Sequence, residues 1–251
     1  MNPKFYVNDR LRKGTLSGSE DDSRNPEERL ADGSITLGYT ATTGTTPSGE
    51  YQVAISGEAF APEALVIARA DALSGTTFQV ISETLAGAST LVVASGDVTG
   101  SPSNFVLAIP SGATPREVWR VQVTGPTSGT QVTIYESMLA DLVELDRLPQ
   151  VGISRVRIRQ FTRTAIPGGQ PFVKRDGPNL RRTGYSYILT SGTEIEEMRG
   201  LITSLAGGEF FFHVDDLGAQ YWAEVMGDGL DEADEAGVSS AGLTVQEVAS
   251  D

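Results

Sequence analysis

Between residues 34 and 144 the chain repeats one pattern, in which short apolar runs rich in β-branched residues are separated by glycine, serine, threonine and proline. There are eight such runs. Runs this short at nearly even spacing are typical of the strands of β-sandwiches and jelly rolls. They are Ser34–Thr40, Tyr51–Ser56, Ala64–Arg69, Phe78–Ser82, Thr90–Ala94, Phe105–Ile109, Val118–Thr124 and Val132–Tyr135. We therefore predict a mainly β chain that contains a jelly-roll-like β-sandwich.

The run Val118–Thr124 shows how the predicted strands divide between core and solvent. Its valines are expected to share one face and to form the core. We assign Trp119, Arg120 and Gln122 to the other face and to the strand ends.

The pattern changes after Pro149, where Ile153–Arg163 alternates cations with apolar residues. A helix is predicted to begin with Thr193 as its N-cap and Glu194 in its first turn, and to end at Gly207 and Gly208. Its apolar residues, at helical spacing, are Ile195, Met198, Leu201, Ile202 and Leu205. The other predicted elements are strands over Arg181–Thr190, Phe210–Val214, Gln220–Met226 and Leu243–Val248, with an acidic loop over Asp228–Gly237.

A chain of 251 residues suits two domains of ordinary size. We predict a polar lead-in or arm over residues 1–33, the β-sandwich over 34–149, and a β-barrel-like domain with one helix over 150–251.

Charge is sorted into two blocks in the last hundred residues. From Val151 to Arg182 there are eight Lys or Arg and one acid, and from Glu194 to Asp251 there are fourteen acids and one base. Both blocks are compatible with ordinary solvated faces. Alternatively, a basic surface on one copy meets an acidic surface on the next, a head-to-tail contact that closes into a ring or continues as a filament.

Arg155, Arg157 and Arg159 share one face of a predicted strand, where like charges repel. They either protect an exposed sheet edge against aggregation or face an acidic partner. Under the second interpretation, the predicted contact between copies pairs Arg155, Arg157, Arg159, Arg163, Lys174 and Arg175 with Asp228, Asp231, Glu232, Asp234 and Glu235.

Composition argues against several kinds of partner and site. The net charge of −14 argues against nucleic acid. The absence of cysteine excludes disulfides, thiolate metal sites and cysteine nucleophiles. Neither a signal peptide nor a membrane-spanning segment is recognisable, so we expect a chain that is made in a cytoplasm and not inserted into a membrane.

Catalytic and cofactor motifs are missing from the sequence. His213 is the only histidine, which favours a packing role and leaves no partners for a histidine metal site. We find no nucleophile elbow, no phosphate-binding loop and no assignable carboxylate pair for a hydrolase. The acidic run from Asp228 to Glu235 is interpreted as a solvated loop, with weak calcium binding as the alternative. We therefore predict no enzyme activity, no cofactor and no metal.

Several motifs of the last hundred residues occur in a familiar order. They are the stretches 185–189, 208–212, 215–218, 221–225 and 243–248, together with the helix that begins with acidic residues. In this order they resemble the β-barrel domain of tailed-phage distal tail proteins and of related tail-tube-like proteins. The first half, through the stretches 25–26, 30–33, 119–123 and 134–136, resembles a discoidin-type or carbohydrate-binding-type β-sandwich of phage tail-tip proteins.

The resemblance implies a structural protein of the virion tail tip. Such barrel domains form a ring, usually six-fold, that joins the tail tube protein to the baseplate hub or other tail-tip proteins. The sandwich precedes the barrel here and a long acidic loop follows Asp228, which leaves open which tail-tip component the chain would be. As an alternative function, the sandwich is a carbohydrate-binding module that recognises a host surface glycan.

Overall fold

A computed structural model of the chain is mainly β with one helix, as predicted. It describes residues 1–18, 30–31, 38–42, 49–71, 74–84, 90–100, 104–127, 131–144, 149, 153–164, 172–189, 192–205, 211–226, 231–235 and 238–248. In chain order the elements are β1 (Lys4–Val7), β2 (Thr15–Gly18), β3 (Tyr39–Thr42), β4 (Glu50–Ala54), β5 (Ala64–Asp71), β6 (Thr77–Glu83), β7 (Thr90–Asp97), β8 (Asn104–Ala108), β9 (Val118–Thr124), β10 (Gln131–Glu144), β11 (Ser154–Thr164), β12 (Phe172–Leu189), α1 (Gly192–Leu205), β13 (Phe211–Val214), β14 (Gln220–Val225), β15 (Asp231–Glu235) and β16 (Val238–Glu247).

The chain forms two compact units whose bounds differ from the predicted ones. Asn8–Leu142 forms one, which we call the sandwich unit. Met1–Val7 and Val143–Ser250 together form the other, which we call the helix unit. The sandwich unit is therefore an insertion in the sequence of the helix unit. The predicted lead-in over residues 1–33 is divided, because β1 belongs to the helix unit and β2 to the sandwich unit.

The sandwich unit contains two groups of antiparallel strands. Five strands form a sheet in the order β2-β4-β9-β6-β7. In the other group β10, β5 and β8 lie side by side, and β3 pairs with the start of β10. Each of the eight predicted runs overlaps one of the strands β3 to β10. Of the first run, residues 34–37 lie outside the described part of the chain.

Trp119 lies on the buried face of β9, which corrects its predicted position. Because side chains alternate along a strand, Trp119 shares a face with Val121 and Val123, and all three are buried. The indole N–H donates to the backbone oxygen of Phe60 at 2.9 Å. Burial of Trp119 leaves no unsatisfied hydrogen-bond donor, because its one polar group, the indole N–H, has an acceptor.

The helix unit is built on an antiparallel sheet in the order β11-β12-β16-β14-β13-β1, with β15 paired to β16. The Tyr185 hydroxyl of β12 reaches His213 of β13 at 2.8 Å, although β16 and β14 separate these strands in the sheet. The sheet is therefore strongly curved around its core. Its described strands do not close into a barrel, so only the β class of the predicted barrel-like domain is confirmed.

Helix α1 confirms the predicted helix and its apolar spacing. It spans Gly192–Leu205 and has Glu194 in its first turn, where the helix dipole favours a negative charge. It begins one residue before the predicted cap, Thr193. The described apolar side chains predicted to face the core are all buried, namely Met198, Leu201, Ile202 and Leu205.

Two segments of the helix unit are more extended than predicted. Strand β12 begins at Phe172, nine residues before the predicted strand start at Arg181, because this part pairs with β11. Asp231–Glu235 is a strand and not a loop. All five of its residues pair with β16, from Asp231 opposite Gly242 to Glu235 opposite Val238. Backbone pairing overrides the low strand propensity of aspartate and glutamate here.

Replacement of Phe5 by alanine is expected to destabilise the helix unit strongly. Phe5 is fully buried on β1, with its ring centroid 6.4 Å from that of Tyr185 and 6.0 Å from that of Phe211. Truncation of a buried phenylalanine leaves a cavity and costs about 3–5 kcal/mol. Urea unfolding measures the loss. Leu217→Ala is the control, because Leu217 is 74 % exposed in the same unit and should change little; equal effects of both substitutions would contradict the buried position of β1.

Candidate functional site

Strands β11 and β12 form a two-stranded arm that carries most of the basic block. Their pairing runs from Ser154 opposite Gly184 to Thr164 opposite Phe172. β12 pairs with β16 only from Arg182 onward, so among the described strands its residues 172–181 have β11 as their one neighbour. We call residues 157–164 and 172–181 the basic arm. It contains Arg157, Arg159, Arg163, Lys174, Arg175 and Arg181, against one acid, Asp176.

Like charges oppose each other within the basic arm. Arg157 lies directly opposite Arg181, and both are exposed. Directly opposed like charges destabilise a strand pair. Among the other predicted contact residues, Arg163 lies opposite Val173 and Lys174 opposite Thr162. The side chains of Arg159, Arg163, Lys174 and Arg175 lie outside the described part of the chain.

Arg155 is engaged within the chain, although the sequence predicted it to contact another copy. Its guanidinium donates to the carboxylate of Asp216 in the turn between β13 and β14. This hydrogen bond, together with the charges of Asp216 and Asp215, raises the pKa of Arg155 despite some desolvation. Arg155 therefore links the start of β11 to the β13–β14 turn. The next residue, Val156, is 52 % exposed, so the apolar side of β11 is not buried there.

The turn that receives Arg155 is shaped by its other aspartate. Asp215 Oδ1 accepts hydrogen bonds from the backbone N–H groups of Leu217 at 2.9 Å and Ala219 at 2.8 Å. Asp216 takes no part in these two bonds, and its carboxylate accepts the hydrogen bond from Arg155. The sequence indicated the turn but not this contact, because Arg155 and Asp216 are 61 residues apart and no local pattern joins them.

The acidic half of the predicted contact lies on β15. Among the described strands β15 has β16 as its one neighbour, and β16 separates it from β12. Four of its five positions are acidic. Asp228 lies outside the described residues, as do the side chains of Asp231, Glu232, Asp234 and Glu235. Within one copy, the basic arm and β15 are therefore separate surfaces.

His213 lies at the centre of the helix unit, fully buried among aromatic rings. Its Nδ1 is 3.0 Å from the backbone oxygen of Lys4, which can only accept, so Nδ1 carries the proton. Nε2 then accepts from the Tyr185 hydroxyl at 2.8 Å. Burial is the main cause that lowers the pKa of His213 to about 4. The geometry is that of a neutral, packed histidine that fastens β1 to β13.

We expect the free energy of unfolding to decrease as the pH falls from 6.5 to about 4, because the pKa of His213 differs between the folded and unfolded chain over this range. The unfolded chain, with a histidine pKa of 6.5, binds the proton more readily than the folded chain, with a pKa of about 4. Protonation therefore favours unfolding. The stabilisation is fully present above pH 6.5 and is lost as the pH falls toward 4, a change of about 3 kcal/mol.

Urea unfolding at several pH values measures this change. The His213→Phe variant is the control, because it removes the titrating group; we expect it to be less stable at pH 7 and to lose less stability between pH 6.5 and 4 than the unsubstituted chain. Parallel pH curves for the two chains would contradict the assignment.

A small polar cleft lies beside β2 and β4 in the sandwich unit. It is lined by Ser17, Gly18, Glu50, Tyr51 and Gln52 and has a volume of about 100 Å³. A Cβ atom at position 18 would lie 3.1 Å from the Tyr39 hydroxyl, so the glycine leaves room for this buried side chain beside the cleft. Sequence reasoning missed the cleft, because its residues come from two strands that are far apart in the sequence.

The large aromatic side chains of the sandwich unit do not form a surface platform. Trp119, Tyr39 and Tyr51 are all buried. The Tyr51 hydroxyl is 2.6 Å from the Ser137 hydroxyl, and the Tyr39 hydroxyl donates to the backbone oxygen of Glu50 at 3.1 Å. A ligand of the sandwich unit would therefore meet polar side chains and not these rings.

The described residues contain neither a candidate metal site nor a helix that could span a membrane. No group of three or more histidine, aspartate or glutamate side chains among them is arranged to hold a metal ion. The helix that the structure describes is too short and too polar to cross a membrane.

Comparison with known proteins gives no family for the chain. No protein-family model matches it, and no curated protein matches it. Among solved structures it is similar to the family 32 carbohydrate-binding module of AlyQ in complex with 4,5-unsaturated mannuronic acid, at 19% identity over 53% of this chain and 95% of the other, with a TM-score of 0.41.

Two further structures cover a similar share of the chain. The family 32 carbohydrate-binding module of NanJ from Clostridium perfringens, in complex with galactose, is 13% identical over 53% of this chain and 96% of the other, with a TM-score of 0.42. An F5/8 type C domain from Bacteroides fragilis is 11% identical over 55% of this chain and 96% of the other, with a TM-score of 0.45. These are domains of the kind that the first half of the sequence was predicted to resemble. None of the three is a tail-tip protein, and TM-scores below 0.5 carry no conclusion on function.

Proposed function

We propose that this chain is a structural protein that assembles with copies of itself, the basic arm of one copy contacting β15 of the next. By the resemblance of its last hundred residues, the assembly is a ring in a phage tail tip, between the tail tube and the baseplate hub. The observation that carries the proposal is the basic arm, which holds six Lys and Arg on two paired strands.

The energetics of the arm support a partner. A two-stranded ribbon is marginally stable in water without a further layer. Here Arg157 opposes Arg181, and this pair adds repulsion that Glu247, 3.9 Å from Arg181, offsets only on the Arg181 side. An acidic surface laid against the arm would offset both costs.

The separation of the two charged surfaces supports a head-to-tail arrangement. The arm belongs to β11 and β12, and the acids belong to β15 on the far side of β16. Two different surfaces that fit each other make a heterologous contact, and such contacts close into rings or continue as filaments. Complementary charge also speeds the encounter of copies.

The mass of the full chain in solution is expected to exceed that of a monomer at low salt and to fall as salt rises. Exposed ion pairs are screened within about 8 Å at physiological ionic strength. Light scattering measures the mass, and negative-stain electron microscopy of the low-salt species tests whether it is a closed ring. A monomer at every salt concentration would contradict assembly of the isolated chain.

Charge reversal tests which surfaces meet. We expect Arg157→Glu with Arg159→Glu to abolish assembly, and Glu232→Lys with Asp234→Lys to abolish it equally. A chain that carries both pairs should regain assembly, because the contact is restored with opposite signs. Lys13→Glu, which reverses one exposed cation of the sandwich unit and so makes half the charge change of the arginine pair, is the control. Loss without recovery in the doubly reversed chain, with folding intact by circular dichroism, would overturn the pairing.

A second candidate function is carbohydrate binding by the sandwich unit. The observation that favours it is the cleft of about 100 Å³, whose lining includes the polar residues Ser17, Glu50 and Gln52. Pockets with a few convergent polar groups are the usual form of small-ligand sites. The full chain is expected to bind members of a printed glycan array, and silence on every glycan would exclude this function while leaving self-assembly unaffected.

A further inference from the structure

The outward face of the five-stranded sheet carries a continuous row of polar side chains. Glu50 of β4 lies opposite Gln122 of β9, Gln122 opposite Gln79 of β6, and Gln79 opposite Ser95 of β7. The row crosses four neighbouring strands, about 4.8 Å apart. In the adjacent row Gln52 lies opposite Arg120. We call these six residues the polar face.

The other side of the same strands identifies this face as the outer one. Tyr51, Val121, Val80 and Ala94 lie opposite one another in the intervening row, and all are buried in the core. Side chains alternate along a strand, so the polar face points away from that core. Its amides at Gln52, Gln79 and Gln122 are partly exposed.

The glutamine amides of the polar face are available for a ligand. Within the described part of the chain, no hydrogen bond joins the side chain of Gln52, Gln79 or Gln122 to another residue. Each amide offers both donors and an acceptor. Sugar hydroxyls also donate and accept, so a row of such amides can follow a chain of hydroxyl groups laid across the strands.

Arg120 is fixed and neutralised on this face. It is 26 % exposed, its Nη1 is 3.3 Å from Glu50 Oε2, and its Nη2 donates to the carboxylate of Glu83. One cation between two carboxylates leaves a local net charge of −1, from +1 and two charges of −1. An anionic ligand would be repelled, and a neutral one would not.

The cleft joins the polar face at its β4 side. Glu50 and Gln52 belong to both features. The cleft supplies a concave end where a single sugar residue can be partly enclosed, and the row of glutamines supplies hydrogen-bonding groups beyond it.

We propose that the polar face, with the cleft at its edge, binds neutral, hydroxyl-rich saccharides and discriminates against those that contain uronic acids. The proposal rests on the second candidate function. It assigns the binding to the sheet face, with Gln79 and Gln122 as contact residues and Glu50 as the residue that disfavours acidic sugars.

The test uses the full chain on an array of neutral oligosaccharides, terminated by galactose, glucose or N-acetylglucosamine, and of uronic-acid oligosaccharides. The strongest neutral binder is then titrated by calorimetry. Gln79→Ala and Gln122→Ala should each weaken it about threefold to tenfold, the value of one hydrogen bond. Thr114→Ala, an exposed loop position away from the row, should leave it unchanged.

The charge argument has its own readout. Glu50→Gln removes the excess negative charge and should raise binding of uronic-acid sugars relative to neutral ones, an effect that mere loss of structure would not produce. Thermal unfolding checks that each variant folds.

The outcomes separate the two levels of the proposal. Binding that is weakened by both glutamine variants supports the polar face. Binding that neither variant changes overturns it but keeps carbohydrate binding elsewhere on the chain. Preference for acidic sugars in the unsubstituted chain overturns the stated ligand class. No binding to any glycan overturns both the second candidate function and this site.

Discussion

The pairing of β1 with β13 is the interaction on which the helix unit depends. Through it the first residues of the chain enter a sheet otherwise built from the last hundred. Phe5 fills the core beside Tyr185 and Phe211. The backbone oxygen of Lys4 accepts a hydrogen bond from Nδ1–H of His213, and without β1 this N–H would be a buried donor with no partner. Because an unsatisfied buried donor costs about 1–3 kcal/mol, packing and hydrogen bonding act together to hold this strand.

Local patterns in the sequence were enough to identify most elements. β9 has the predicted bounds, and α1 presents the predicted apolar residues to the core, because alternation and helical spacing express burial directly. The errors have physical causes. Placing all the valines of β9 on one face ignores the alternation of side chains along a strand. This is why Trp119 is predicted on the wrong face. β1 has only four residues and pairs with a strand more than two hundred positions later, and β15 is a strand because β16 pairs with it.

The candidate sites were less predictable than the fold, since each depends on which strands become neighbours. The sequence indicated the basic and acidic blocks but could not show that Asp216 engages Arg155, which assigns this residue a role within its own copy. Nor could it align Glu50, Gln79 and Gln122, which come from three different strands. No motif marks such a row, because it runs across the strands and not along the chain.

The inserted position of the sandwich unit has a consequence for synthesis. On the ribosome β1 emerges first, and its partner β13 follows only after the whole sandwich unit and both strands of the basic arm have been made. At typical translation rates this interval is roughly 10 to 40 seconds. During that time Phe5 lacks its packing partners Tyr185 and Phe211, while the sandwich unit can already fold. The order of the chain thus delays completion of the core around Phe5 until the last strands of the helix unit have been made, and leaves this apolar segment accessible to chaperones in the meantime.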